Sequence, residues 1–248
     1  MQSIDRAVQV LDLLSTHREG IPISEIGEIT GLPLSTTHRL LHSLTAHSLA
    51  VQDPVTKRYK LGLRVLGLAS FLLNNNRVIE AARPHMARLA SSQGKLVYFC
   101  QEQNDEIVCV DSSMGSARIN VQFYVQIGSL MPFHASAPAK AILAHSPPEK
   151  LERLLRKNSP LHRYTPRTIS APKEVLGEYR VCREQGYAVC DEEMEPGVCA
   201  VAAPVFGYDN GVLGSVALVD LKREDRMEEM IRGIVGCARD ISREMGSP

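Results

Sequence analysis

Residues 23–50, ISEIGEITGLPLSTTHRLLHSLTAHSLA, set two short apolar-periodic stretches on either side of Gly31-Leu32-Pro33. Glycine ends a helix in the left-handed conformation, and proline fits the first turn of the next, where its missing N–H costs nothing. The tripeptide therefore joins two helices through a turn so short that they must cross. The spacing predicts helices over Ser3–Ser15, Ser24–Thr30 and from Pro33 to about His47, with Ser3 and Ser24 as N-caps. Gly27 lies where a small residue lets the following helix approach, and Leu40, Leu41 and Leu44 form that helix's inward face. Val51-Gln52 and Lys57–Leu61 then flank the turn Asp53–Thr56, a hairpin pattern. Three helices and a hairpin in this order make a winged helix-turn-helix.

Gly62–Leu73 reads as a fourth helix whose apolar residues, Leu63, Val65, Leu66, Leu68, Ala69, Phe71, Leu72 and Leu73, cover more than one face. A helix apolar on several sides must be buried on several sides, which a domain this small cannot do alone, so self-association is expected. Asn74-Asn75-Asn76 breaks the pattern. The expected organisation is a winged helix-turn-helix over 1–61, a linker and dimerisation helix over 62–77 and a second domain over 78–248.

In the second domain, 95–101 and 106–111 read as strands paired around Asn104-Asp105, with further strands at 118–125 and 129–133. Helices are expected over 137–145, 149–157 and 173–185, a strand from Tyr187 to Cys190, and a long closing helix from Arg226 to Met245. Val198–Phe206 and Val212–Val219 flank Asp209-Asn210-Gly211, and Asn-Gly is a strong hairpin signal. Hairpins with segregated helices point to an α+β domain around an antiparallel sheet.

The chain has 248 residues, no net charge and six cysteines, none with metal-site spacing. No stretch reaches the roughly 18 apolar residues of a membrane helix, and no signal-peptide core opens the chain, so a reduced cytoplasmic protein with buried thiols is expected. No metal, cofactor or membrane partner is called for.

Zero net charge conceals segregation. From Arg39 to Arg77 six basic residues face the single acid Asp53, whereas from Met1 to His38 five acids outnumber two arginines. The basic edge comprises the third helix and the hairpin. Ser35, Thr36, Thr37, His38, Arg39 and His42 on the helix, with Lys57, Arg58 and Lys60 on the hairpin, are the candidates for contact with double-stranded DNA. Hydroxyls bond phosphates or base edges, arginine pairs bidentately with guanine, and lysines supply sequence-independent affinity. The plainer alternatives are a solvated helix face and a charged edge strand that resists aggregation.

At these residues a family resemblance enters. Residues 3–69, from SIDRAVQVLDLL to LGLRVLGLA, resemble the DNA-binding half of IclR-type bacterial transcriptional regulators. GSLMPFHASAPAKAILA and GYAVCDEEMEPGVCAVAAPVFGYDNGVLGSVAL resemble the signature stretches of that family's effector-binding domain. The resemblance implies a GAF-like ligand domain, homodimers or homotetramers on palindromic operators, and repression or activation set by a small metabolite. It also implies an effector pocket among Val121, the loop His134, Ala135, Ser136, Ala137 and Pro138, the segment Cys190-Asp191, the strand around Cys199-Ala200, and Ala217 with Val219. At several of these positions the chain departs from members that bind small carboxylates. Pro138 has no N–H to give, and Cys190, Ala200, Ala217 and Val219 stand where polar groups can be. A buried carboxylate with too few partners is costly, so a larger or more apolar effector is expected, such as an aromatic or alicyclic acid or its derivative.

Two other readings compete with an effector-controlled regulator. One is an enzyme built on Cys100 or Cys190 with His134 or His145, although no GxSxG, GxGxxG or HExxH pattern is present, and no catalytic residue is assigned. The other is an adaptor that uses the N-terminal domain to bind protein.

Overall fold

The computed structural model describes residues 2–115 and 125–247. The chain divides between Asn75 and Asn76 into two compact units. No helix among the described residues is long and apolar enough to cross a membrane.

The first unit contains α1 (Gln2–Thr16), α2 (Ile23–Thr30), α3 (Leu34–Ala46), β1 (Ala50–Gln52), β2 (Tyr59–Leu61) and α4 (Arg64–Asn74). Val10, Leu14, Ile21, Ile26, Leu41, Leu44 and Tyr59 form its core. Gly31 closes α2 at φ +67°, as the glycine-proline turn requires. A Cβ on Gly27 would lie 3.2 Å from the Leu32 carbonyl and 3.4 Å from Thr37 Oγ1, so the glycine does permit the close crossing. The helix starts differ from expectation. Pro22 and Pro33, both extended, precede α2 and α3, and neither Ser24 nor another side chain caps α2. The Pro33 carbonyl instead accepts the N–H groups of Thr36 and Thr37 and the Thr37 hydroxyl.

In the hairpin, Ala50 pairs with Leu61 and Gln52 with Tyr59, while Ile21 adds a bridge to Tyr59. Asp53 Oδ1 accepts the N–H groups of Val55 and Thr56 at 2.9 and 2.8 Å, which fixes the turn and holds the carboxyl below its ordinary pKa. On α4, Leu66, Leu68, Phe71 and Leu72 are each at least 59% exposed, so this unit leaves that apolar surface uncovered.

The second unit begins with α5 (Arg77–Gln93) and β3 (Leu96–Gln103), β4 (Glu106–Met114), α6 (Ala137–Leu143), α7 (Pro148–Lys157) and α8 (Pro172–Gln185). It ends with β5 (Ala188–Asp191), β6 (Val198–Phe206), β7 (Val212–Leu221) and α9 (Met227–Glu244). The five strands form an antiparallel sheet in the order β4-β3-β7-β6-β5. Helices α5 and α9 pack on one face and α6 to α8 on the other. Because both faces are covered, β6 and β7 are apolar almost throughout, without the polar alternation of a half-exposed sheet. Alternate residues still point to opposite layers: Val198, Ala200 and Ala202 face α6, and Cys199, Val201 and Ala203 face α5 and α9.

Helix α5 was not expected. Asn76, read as part of a break, is its N-cap, with a side chain that accepts from Val78 and Ile79 N–H. Residues 129–133 are not a strand; Leu130 makes one bridge to Val108 and the chain then turns. The strand expected at 118–125, and Val121 with it, lies outside the described residues except for Val125.

Candidate functional site: nucleic-acid face and ligand cavity

Helix α3 and the hairpin border a concave groove of about 710 Å³, with His38 and His42 on the helix side and Gln52 and Lys60 on the hairpin side. Ser35, His38, Arg39 and His42 are exposed and Thr36 is half-buried. Thr37 is a correction: it is fully buried, and its hydroxyl is turned back to Pro33, so it supports the helix start and cannot reach DNA. Lys57 and Arg58 are exposed near the hairpin tip. Arg58 donates through Nη1 to the Gly20 carbonyl at 2.9 Å, which ties the hairpin to the segment before Ile21 and leaves its other N–H groups free to donate. Arg39 has no hydrogen-bonded or charged partner among the described residues, so its five donors are available to a duplex.

The second unit encloses a cavity of about 510 Å³ on the α6 side of the sheet. Its wall is mostly apolar. Cys190, Ala200 and Val219, paired directly across β5, β6 and β7, stand in one row along it. Ser136 and Ala137 close it at the start of α6, and Met131, Pro132 and Met194 add apolar surface. Tyr98 lines it from β3; its side chain is almost wholly buried and its hydroxyl has no partner among the described residues. The Ser136 hydroxyl donates to the Pro132 carbonyl, and exposed Glu195 stands at the rim.

Five expected residues therefore line the cavity: Ser136, Ala137, Cys190, Ala200 and Val219. Ala217 faces the same layer but is packed in its core. Five further expected residues do not line it. Cys199 points into the opposite layer, against α5 and α9. Asp191 accepts through Oδ2 from Arg167 Nη2 at 2.7 Å and from Lys222 Nζ at 3.0 Å, outside the cavity. His134 is buried behind the loop with Nε2 on the His162 carbonyl at 2.9 Å, and burial lowers its proton affinity. The Pro138 carbonyl accepts the Ser215 hydroxyl at 3.0 Å. Ala135 is buried and likewise absent from the wall. Tyr98, Met131, Met194 and Val198 also line the cavity without being among the expected residues. Strand alternation counted back from Ala200 finds Val198; the others come from loops or a distant strand.

Behind the wall, Lys140 of α6 is fully buried. Its ammonium donates to Glu193 at 2.5 Å, to the Val189 carbonyl at 3.3 Å and to Glu178 at 3.4 Å. Glu193 immediately precedes the cavity residue Met194, so this ion pair anchors the β5–β6 turn to α6.

The family model described as Bacterial transcriptional regulator IclR C-terminal matches residues 70–243, and that described as IclR helix-turn-helix domain matches residues 3–54. The chain belongs to the IclR family. It is a DNA-binding transcriptional regulator with a C-terminal effector domain. Similar members include the HTH-type transcriptional regulator XynR of Escherichia coli, 29% identical over 221 residues covering 89% of this chain and 86% of XynR. The HTH-type transcriptional repressor AllR of Salmonella typhimurium is 29% identical over 248 residues, covering 99% and 90%. Among solved structures, an IclR transcriptional regulator from Alicyclobacillus acidocaldarius superposes with a TM-score of 0.85 at 26% identity, covering 99% of both chains. An IclR homologue from Microbacterium hydrocarbonoxydans, complexed with 4-hydroxybenzoate, shares the fold with a TM-score of 0.84 at 22% identity, covering 98% of both chains.

For this IclR-family chain the thiols argue against the nucleophile reading. All six are buried, and burial pushes Cys190 up to about 11 and Cys100 well above its ordinary value. Neither His134 nor His145 hydrogen-bonds either of these thiols among the described residues, so neither has a base to activate it.

Proposed function

We propose that this regulator binds a palindromic operator as a homodimer or homotetramer and is controlled by a small organic molecule held in the cavity of the second unit. The cavity itself carries the reading: about 510 Å³ is a ligand-sized space, with an apolar wall and a few hydroxyls. No cationic side chain lines it among the described residues, which favours a ligand with an apolar body over a small, strongly hydrated anion. An aromatic or alicyclic acid, or its neutral derivative, fits, with its polar group toward Tyr98 and Ser136. The 4-hydroxybenzoate bound by the Microbacterium homologue belongs to that class.

Duplex contact falls to Ser35, Thr36, His38, Arg39 and His42 on α3 and to Lys57, Arg58 and Lys60 on the hairpin. The exposed apolar surface of α4 supports pairing of two chains. An effector changes operator affinity only to the extent that it binds one arrangement of the assembly better than another.

The test is a melting-temperature screen of the purified chain against aromatic and alicyclic acids, their amides and small keto acids. A ligand at 100 times its dissociation constant adds about 2.7 kcal/mol of stability. The expected hit is an aromatic or alicyclic compound whose effect vanishes in Ala200→Phe, which fills the cavity. The assignment is refuted if no hit loses its effect in Ala200→Phe, or if small keto acids alone stabilise the chain.

A further inference from the structure

A second cleft, of about 460 Å³, lies elsewhere in the second unit, where α9 meets the end of β6. Its apolar surface comes from Ala203, Phe206 and Val235, and the paired arginines Arg239 and Arg243 stand one helical turn apart on its α9 side. The ion pairs that α9 makes among the described residues are Arg232 with Glu228 and Glu244 with His85. Both cleft arginines are exposed and neither has a carboxylate within salt-bridge distance among the described residues. Asp240, between them in sequence, lies near Cys237.

The second observation lies deeper. His145 lines the same cleft, edge-on to Phe206 with ring centroids 5.0 Å apart. Its Nε2 is buried and has no hydrogen-bond partner among the described residues. Burial, and then the nearby charge of Arg183, lower its proton affinity. A buried polar atom without a partner is unfavourable and is normally satisfied by protein, water or ligand. The Ser242 hydroxyl of α9, which also lines the cleft, is already committed: it donates to the Ala238 carbonyl and accepts from Phe206 N–H.

We propose that this cleft is a second small-molecule site, separate from the effector cavity, for an amphipathic anion: a carboxylate or phosphate carried on a compact apolar body. Guanidinium pairs bind such groups through parallel N–H···O bonds. The apolar body covers Phe206 and Val235 while the anionic group meets Arg239 and Arg243. A duplex backbone is a poorer fit, because a concave floor of aromatic and aliphatic side chains gives nothing to a phosphate-sugar chain. A fully hydrated inorganic anion leaves the same floor uncovered.

The test is calorimetric titration of the full chain with phenyl phosphate, benzoate, inorganic phosphate and neutral benzyl alcohol. Wild type and Arg239→Gln/Arg243→Gln are compared, each also in the Ala200→Phe background. The arginines are exposed, so their replacement leaves the core intact. With phenyl phosphate or benzoate, the double variant is expected to bind one equivalent fewer than wild type, or to bind that equivalent at least tenfold more weakly. Benzyl alcohol and inorganic phosphate show no such difference. In Ala200→Phe the equivalent persists, which separates it from effector binding. Equal stoichiometry and affinity in wild type and double variant, or loss of the equivalent in Ala200→Phe alone, overturns the proposal. An arginine-dependent equivalent seen equally with inorganic phosphate overturns the apolar requirement and reduces the site to a plain anion contact.

Discussion

Arg39 and Gly62 show how much a single residue sets in this chain. Arg39 is exposed on α3 with its guanidinium uncommitted among the described residues. If it reads a base, Arg39→Ala costs roughly 1–3 kcal/mol of operator binding and relaxes specificity at one base pair. Titration against operator and scrambled duplexes checks this; equal losses on both make Arg39 a phosphate contact. Gly62 tells a steric story: a Cβ there would lie 2.0 Å from the Ser48 carbonyl. Gly62→Ala is expected to destabilise the first unit by about 1–3 kcal/mol, the usual cost of overpacking, visible as a lowered melting temperature. Single residues also mark where sequence reading stopped short. Cys190-Asp191 and Cys199-Ala200 were each assigned to the cavity as neighbours. Successive strand residues face opposite layers, so only one of each pair could be there. The register pairs Cys190 with Ala200 and Asp191 with Cys199, which sorts them. Thr37 was misplaced because a run of hydroxyls looks uniformly polar, and only the helix phase turns one of them inward.

At the scale of elements, the β5–β6 turn carries the most electrostatics. Arg167 and Lys222 hold Asp191 and Glu192 on its outer side, and Lys140 holds Glu193 within. The Lys222 ammonium, then the Gly197 N–H, lower the Glu192 pKa from its ordinary 4.5 to about 2. A carboxylate whose folded pKa is depressed adds stability that is fully present above the unfolded pKa and lost as pH falls through the folded one. The turn should therefore loosen between about pH 4.5 and pH 2. Carboxyl NMR titration is expected to place Glu192 near 2 in wild type and higher in Lys222→Gln; an unchanged midpoint removes Lys222 as the cause. Most elements were legible because their signals are local: Gly31 stops α2, and Asn210-Gly211 joins β6 to β7. Helix α5 was not, because Pro84 interrupts the helical pattern and the capping Asn76 sits in a run that resembles a linker. Its apolar face becomes intelligible only against α9 and the sheet.

Across the whole molecule, zero net charge and a basic reading face coexist because the acids lie elsewhere, and the local field steers a polyanion. The proposed pairing of two chains rests on α4, whose apolar side chains have no cover within their own unit. Leu68→Glu is expected to shift the protein toward monomer in sedimentation and to abolish operator binding; unchanged values for both remove α4 as the contact. The order of domains was legible from motif succession, whereas the ligand cavity was not, because it is assembled from β3, β5, β6, β7 and loops far apart in sequence. Lys140 has a further consequence. An ammonium sealed among Glu193, Glu178 and a carbonyl is invisible to acylating reagents and to trypsin until the sheet and its helices separate. Mass-spectrometric tagging of that one amine, followed over time at sub-stoichiometric damage, is expected to lag far behind the surface lysines and to count global opening events of the second unit.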